Sequence, residues 1–165
     1  MEGAASSNHH REAEVKRLFL IFFLLCSVSP GFCADKKDTA EQQASARIEE
    51  LKQKVARDSE RDLCINAAEL VRELVEQFDV NMSANKLEPA QQSLSEVGIY
   101  ADKAREGAKN TRHKLKQADL TLHKASRRLA DIAQSSAVEN RDAIMAVVKR
   151  IEAADDEVLN QLFKH

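Results

Sequence analysis

The sequence predicts an all-α protein: an elongated antiparallel hairpin of two long helices, with a third, shorter helix packed back to form a coiled-coil-like three-helix bundle. Three observations predict it. Only 4 Gly and 2 Pro occur in 165 residues, Trp is absent and 32% of residues are charged. A β-rich chain needs turn residues far more often, whereas a chain rich in Ala, Glu, Lys, Leu, Arg and Gln with few breakers has the composition of long helices. Apolar residues recur every seven positions through the second half, and helix-capping signals stand ahead of the apolar runs.

Residues 1–33 read as a signal peptide. Val15-Lys16-Arg17 precedes the apolar run Leu18–Val28, and Ser29-Pro30-Gly31-Phe32-Cys33-Ala34 follows. A basic segment, a short apolar run, a breaker and then small residues is the pattern of a secretory signal. The run is shorter than the ~20 residues a membrane-spanning helix needs; the rival reading is an uncleaved N-terminal anchor. Gly31 and Cys33 at −3 and −1 favour cleavage after Cys33. Residues 1–14 add nothing that a signal needs, so translation is expected to start at position 15. Neither Cys26 nor Cys33 lies in a lipoprotein-type context.

The expected helical bundle is 34–165. Three basic residues (Arg11, Lys16, Arg17) and three acidic ones (Glu2, Glu12, Glu14) precede it, so it keeps the net charge of −2 of the whole chain. Such a balance excludes a polybasic nucleic-acid binder and an acidic tail as descriptions of the whole. Cys64 is its single cysteine. One cysteine cannot staple the fold; it reads as a small buried residue, or alternatively as an intermolecular thiol in an oxidising compartment.

The first helix is expected over 39–83. Asp38 with Glu41, and Thr39 with Gln42, fit the capping box, in which the cap side chain satisfies an orphan N–H. Apolar residues recur at Ala44, Ile48, Leu51 and Val55, and again at Leu63, Ala67, Leu70, Leu74 and Phe78. Between the two runs the heptad loses phase, and Asp58, Ser59 and Asp62 interrupt the stripe. These residues are expected opposite Lys109, Thr111 and Arg112 of the second helix, as a stutter with a polar register layer or as a solvated patch. Asn81–Asn85 reads as the frayed end.

The second helix is expected over 89–134. Pro89 suits a first turn, where its missing N–H costs nothing. Leu94, Ala101, Ala108, Leu115, Leu122 and Leu129 form one row at seven-residue spacing, and Val97, Ala104, Thr111, Ala118, Ala125 and Ile132 form the second. The third helix, over 137–163, follows Ser136 with Glu139 three residues on, another capping box. Ile144, Ile151 and Val158 are seven apart, as are Val148, Asp155 and Leu162. Short connections imply antiparallel neighbours.

Little in the sequence suggests catalysis. His113, His123 and His165 are scattered, and no His-Glu-x-x-His, Glu-x-x-His, Cys-x-x-Cys or glycine loop occurs. No cofactor and no metal is expected. Asp119 and His123 share a helix face at i, i+4 and read as an exposed pair rather than half a metal site. An enzyme is not expected. The charge pattern is the remaining clue: Lys103, Arg105, Lys109, Arg112, Lys114, Lys116, Lys124, Arg127 and Arg128 form a basic stretch holding only Glu106 and Asp119 as acids. It reads either as an anion-binding face or as charge compensated by Asp58, Glu60 and Asp62 on one side and Glu152, Asp155, Asp156 and Glu157 on the other. The scarcity of aromatics disfavours nucleic acid. The expected function is therefore that of an exported, periplasmic or extracellular, non-catalytic interaction, scaffolding or chaperone-like module that pairs with a protein partner or with itself. The alternative is a binder of anionic polymer or membrane surface through the basic face.

Overall fold

The structure, a computed structural model, describes residues 35–57 and 60–164, with side chains from residue 39 onward apart from that of residue 60. The signal segment 1–33, with Cys26 and Cys33, lies outside the described residues, as do Asp58, Ser59 and His165. The chain divides into two units, Met1–Ala40 and Glu41–His165. The described part of the first is the opening of a helix; everything below concerns the second.

Five helices make up the described chain, with no strand among the described residues: α1 (Asp35–Arg57), α2 (Glu60–Ser83), α3 (Leu87–Asn110), α4 (Leu115–Ser135) and α5 (Val138–Phe163). The all-helical class stands, but the expected three-helix bundle with two long hairpin helices does not. The helix expected over 39–83 is α1 and α2, and the helix expected over 89–134 is α3 and α4. The third, expected over 137–163, is a single helix, α5. No helix among the described residues is long and apolar enough to cross a membrane.

The physical reason for both corrections is burial. In a hairpin of straight helices, the apolar stripe of α4 would face α5 and only the sparse stripe of α1, Ala44, Ile48, Leu51 and Val55. Turning the chain at 111–114 lets α4 pack on α2 as well, and α5 on α3. A four-helix core closes, built on Leu70, Leu74, Leu115, Leu122, Leu129, Ile144 and Ile151, all almost wholly buried. Each such Leu or Ile gains roughly 1.5–3 kcal/mol on leaving water.

Cross-helix contacts fix the directions. Asn81 Nδ2 donates to Ser93 Oγ (3.4 Å) and Cys64 faces Gly107, so α2 and α3 are antiparallel. Gln117 reaches Glu69 (3.4 Å) and Arg128 reaches Asp79 (2.5 Å), so α4 runs parallel to α2. Arg150 pairs with Asp102, and Arg112 Nη2 donates to the Lys164 carbonyl (2.8 Å), so α5 runs parallel to α3. Arg141 Nε donates back to the Ala133 carbonyl (3.2 Å) across the α4–α5 turn. Around the bundle the order is α2, α3, α5, α4. Helices α3 and α4, consecutive in the chain, therefore lie across a diagonal.

The face of α3 turned to the core is made of small residues: Ala90, Ser93, Val97, Gly98, Ala101, Ala104, Gly107 and Ala108. Large residues of α2 fill the space this leaves, which keeps the interior close-packed with only three aromatic residues beyond position 34.

Candidate functional site

Among the described residues, helix α1 is the one element outside the four-helix core. Its second-unit portion, from Glu41, lies along α2 and α3, antiparallel to the first and parallel to the second. Only Ile48, Leu51 and Val55 bury apolar surface there. Their spacing puts them on one face of a helix. Ion pairs flank the stripe: Arg47 Nε to Glu73 (3.1 Å), Lys52 Nζ to Glu96 (2.8 Å), and Lys86 Nζ back to Glu41 (3.0 Å). The seat on α2 and α3 is thus an apolar strip rimmed by carboxylates.

Two clefts border α1. One, of about 200 Å³, lies between α1, α2 and α3 and is polar: Ser45, Gln77, Asn81, Gln92 and Ser93 line it with Glu49, Lys52 and Glu96. Ser93 ties its floor together. Its hydroxyl donates to the Pro89 carbonyl (2.9 Å) and accepts from Asn81, so both buried polar groups are satisfied. The other cleft, about 400 Å³, runs along the opposite side of α1 past Arg47, Glu50, Leu51, Lys54 and Glu69.

The expected register layer is placed differently. Asp62 sits in the first turn of α2 at one end of the bundle, and its Oδ1 meets His113 Nδ1 at 2.9 Å, not Arg112. Thr111 Oγ1 accepts from the His113 backbone N–H (3.0 Å), Arg112 is taken by the Lys164 carbonyl, and Lys109 is exposed. These residues dress the turn between α3 and α4; they are not a layer inside two continuous helices. Asp58 lies outside the described residues.

The basic stretch is divided as well. Lys103, Arg105 and Lys109 are on α3, Arg112 and Lys114 in the turn, and Lys116, Lys124, Arg127 and Arg128 on the diagonally opposed α4. They do not form one face. Lys103 Nζ lies 5.2 Å from the centre of the Tyr100 ring, and Arg128 is paired with Asp79. What remains together is the end of the bundle, with exposed Lys109, Arg112, Lys114 and Lys116.

Cys64 is fully buried against Gly107, and burial pushes its thiol up to about 12. A disulfide to another chain through Cys64 requires α2 and α3 to part, because only an accessible thiolate reacts.

Asp155, expected only as one of a heptad row and of the acids that compensate the basic stretch, is a buried site. It occupies the row of Val148 and Leu162 on α5 and is buried against α4. Its Oδ1 has no hydrogen-bond partner, and its Oδ2 is 3.6 Å from His123 Nδ1. Burial first, then the neighbouring carboxyl of Asp119, raises Asp155 from 3.8 to about 6; His123 opposes this and Asp156 adds to it. The signal for it was a charged residue in an otherwise apolar heptad row. Among the described residues, no group of three His, Cys, Asp or Glu side chains is arranged to hold a metal ion. No protein-family model matches the chain, and no curated protein and no solved structure matches it either.

Proposed function

We propose that this chain is an exported, non-catalytic interaction module that receives an amphipathic helix in the groove between α2 and α3. The observation that supports it is the seat of α1: a helix held outside a complete four-helix core by three apolar anchors and a rim of ion pairs. Helix-in-groove recognition uses the same elements, with anchors at helical spacing giving affinity and flanking charges giving orientation. The chemistry of the seat names the class of partner. Glu73 and Glu96 border it, and α1 answers with Arg47 and Lys52, so a partner helix carries basic residues beside its apolar stripe. Export rests on the pattern of residues 15–34, outside the described residues.

The test is competition for the seat. Leu51→Glu in the full chain should unseat α1 without entering the four-helix core. That variant should bind a labelled peptide of residues 41–57 in fluorescence anisotropy, while the unmodified chain binds it weakly. No binding by a Leu51→Glu chain of unchanged helicity would sink the proposal. Co-sedimentation with anionic vesicles at low and high salt separates the anionic-surface alternative: salt-sensitive vesicle binding with no peptide binding would favour it.

A further inference from the structure

The turn at 111–114 contains no residue that forbids a helix. From Ala108 to Ala118 the sequence is Ala-Lys-Asn-Thr-Arg-His-Lys-Leu-Lys-Gln-Ala, with no Gly and no Pro. Both heptad rows pass through it in phase: Ala108 to Leu115 in one, Ala104, Thr111 and Ala118 in the other. All of these but the half-buried Thr111 are buried in the core. The turn instead holds Lys114 in the left-handed region (φ 55), where a side chain with a Cβ is strained, and no side chain caps the start of α4.

The helices that the turn joins do not pack on each other. They are diagonal neighbours, so the α2–α3 hairpin and the α4–α5 hairpin pack on each other chiefly through α2·α4 and α3·α5. Every one of those contacts can be made just as well by the same hairpin of another copy. The directions permit it. A two-fold axis along the α2–α5 diagonal, perpendicular to the helices at the 111–114 end, brings the α3 axis of one copy into line with the α4 axis of the other. A straight helix from Leu87 to Ser135 then runs out of one bundle into the next.

We propose that this chain forms a domain-swapped dimer by straightening 111–114, with the α4–α5 hairpin of each copy packed on the α2–α3 hairpin of the other. A short hinge under strain is the usual route to such exchange, because the swapped form keeps the interfaces and relieves the hinge. Holding the closed form are the His113–Asp62 pair and the Arg112–Lys164 hydrogen bond, both within reach of single substitutions. The proposal rests on the interaction-module reading and names a second copy of the chain as a partner.

The experiment uses the full chain with Cys26→Ser and Cys33→Ser, after refolding at high concentration. Sedimentation velocity should show monomer and dimer in slow exchange. Lys114→Gly, which relieves the strain of the closed turn, should lower the dimer fraction severalfold; Thr111→Ala with Lys114→Ala, which favours a straight helix, should raise it severalfold. To identify the dimer, a Glu69→Cys chain is refolded together with a Gln117→Cys chain and treated with a short bis-maleimide. These positions meet across α2 and α4, so a covalent heterodimer forms only if hairpins are exchanged. A chain that is monomeric at every concentration, a dimer that gives no crosslink, or a dimer fraction indifferent to Lys114→Gly would overturn the swap. Peptide binding by Leu51→Glu in a chain that does not swap would leave the interaction-module reading standing.

Discussion

Two turns in this molecule each place a residue other than glycine at positive φ, and they do so for different reasons. At the end of α2, Asn85 (φ 56) closes a Schellman motif: Lys86 N–H reaches the Asn81 carbonyl (2.9 Å) and Asn85 N–H the Met82 carbonyl (3.0 Å). Asn tolerates the left-handed region, and Pro89 follows in the first turn of α3. The chain there turns because its own residues ask it to. At the end of α3, Thr111 is extended, Lys114 (φ 55) takes the left-handed position, and the stabilising contacts come from distant places, Asp62 and Lys164. This second turn is imposed by what it allows to pack. A local signal stops a helix at a fixed residue, whereas a tertiary demand stops it wherever the bundle must close.

The largest test of this contrast is at Gly107, one turn before the imposed turn. A Cβ there would stand 2.6 Å from the backbone nitrogen of Cys64 and 2.9 Å from its Cα. Backbone cannot swing aside, so Gly107→Ala should destabilise by about 2–4 kcal/mol in urea denaturation. Hydrogen exchange should show the loss concentrated at the 111–114 end, with the Asn85 turn still protected. Gly98→Ala is the control. The atoms nearest its Cβ belong to the guanidinium of Arg150, which can move, so stability should hold or rise by up to about 1 kcal/mol from helix propensity.

Next is Asp155, which sits where the imposed turn delivers α4 onto α5. Its raised value means that the folded state holds a proton the unfolded chain has given up. The contribution of Asp155 to stability is therefore fullest below about 4 and falls as pH rises towards about 6, then stays level. Asp155→Asn removes the charge and keeps the shape. It should be more stable than the unmodified chain by about 1–2 kcal/mol at pH 7.5, with the difference gone near pH 3.5. A thermal melt of both chains at the two pH values reads this directly.

The two positive-φ residues give the smaller effects, of opposite sign. Asn85→Val puts a β-branched residue into the left-handed region and should cost about 1–2 kcal/mol. Lys114→Gly should gain about 0.5–1 kcal/mol, because the strain it removes exceeds the freedom it adds to the unfolded chain. Equal losses at both positions would erase the distinction between the turns.

The same distinction explains what was legible in the sequence. Composition and heptads announce the helical class, the row Ile144, Ile151 and Val158 announces α5, and Asn85 with Pro89 announces the first turn. The capping box expected from Ser136 and Glu139 does not form: Ala137 is the N-cap, no side chain caps it, and Ser136 Oγ donates back to the Ile132 carbonyl (2.7 Å). The break between α1 and α2 carried a weak signal: Asp58-Ser59 followed by Asp62 is a helix N-terminus signature as well as an interruption of the stripe. The turn at 111–114 had none, since the rows through Ala108, Leu115 and Thr111 continue in phase and only the assembled bundle shows that α4 turns back. The groove under α1 was half visible. Ile48, Leu51 and Val55 marked the apolar anchors, but their partners Glu73 and Glu96 became neighbours only once α1 folded back on α2.

The small-residue face of α3 has a consequence for the entropy of folding. Ordering a buried Leu or Ile sacrifices about 0.5–1 kcal/mol of rotamer freedom, whereas Ala and Gly have none to lose. Of the eight buried residues of α3, only Ser93 and Val97 carry a rotamer at all. Helix α3 therefore enters the core with almost no side-chain disorder to surrender, and the side chains of α2, α4 and α5 bear that cost for the whole bundle. Evolutionary change on this face runs one way only. There is hardly a smaller residue to choose, and each larger one must be accommodated by its neighbours.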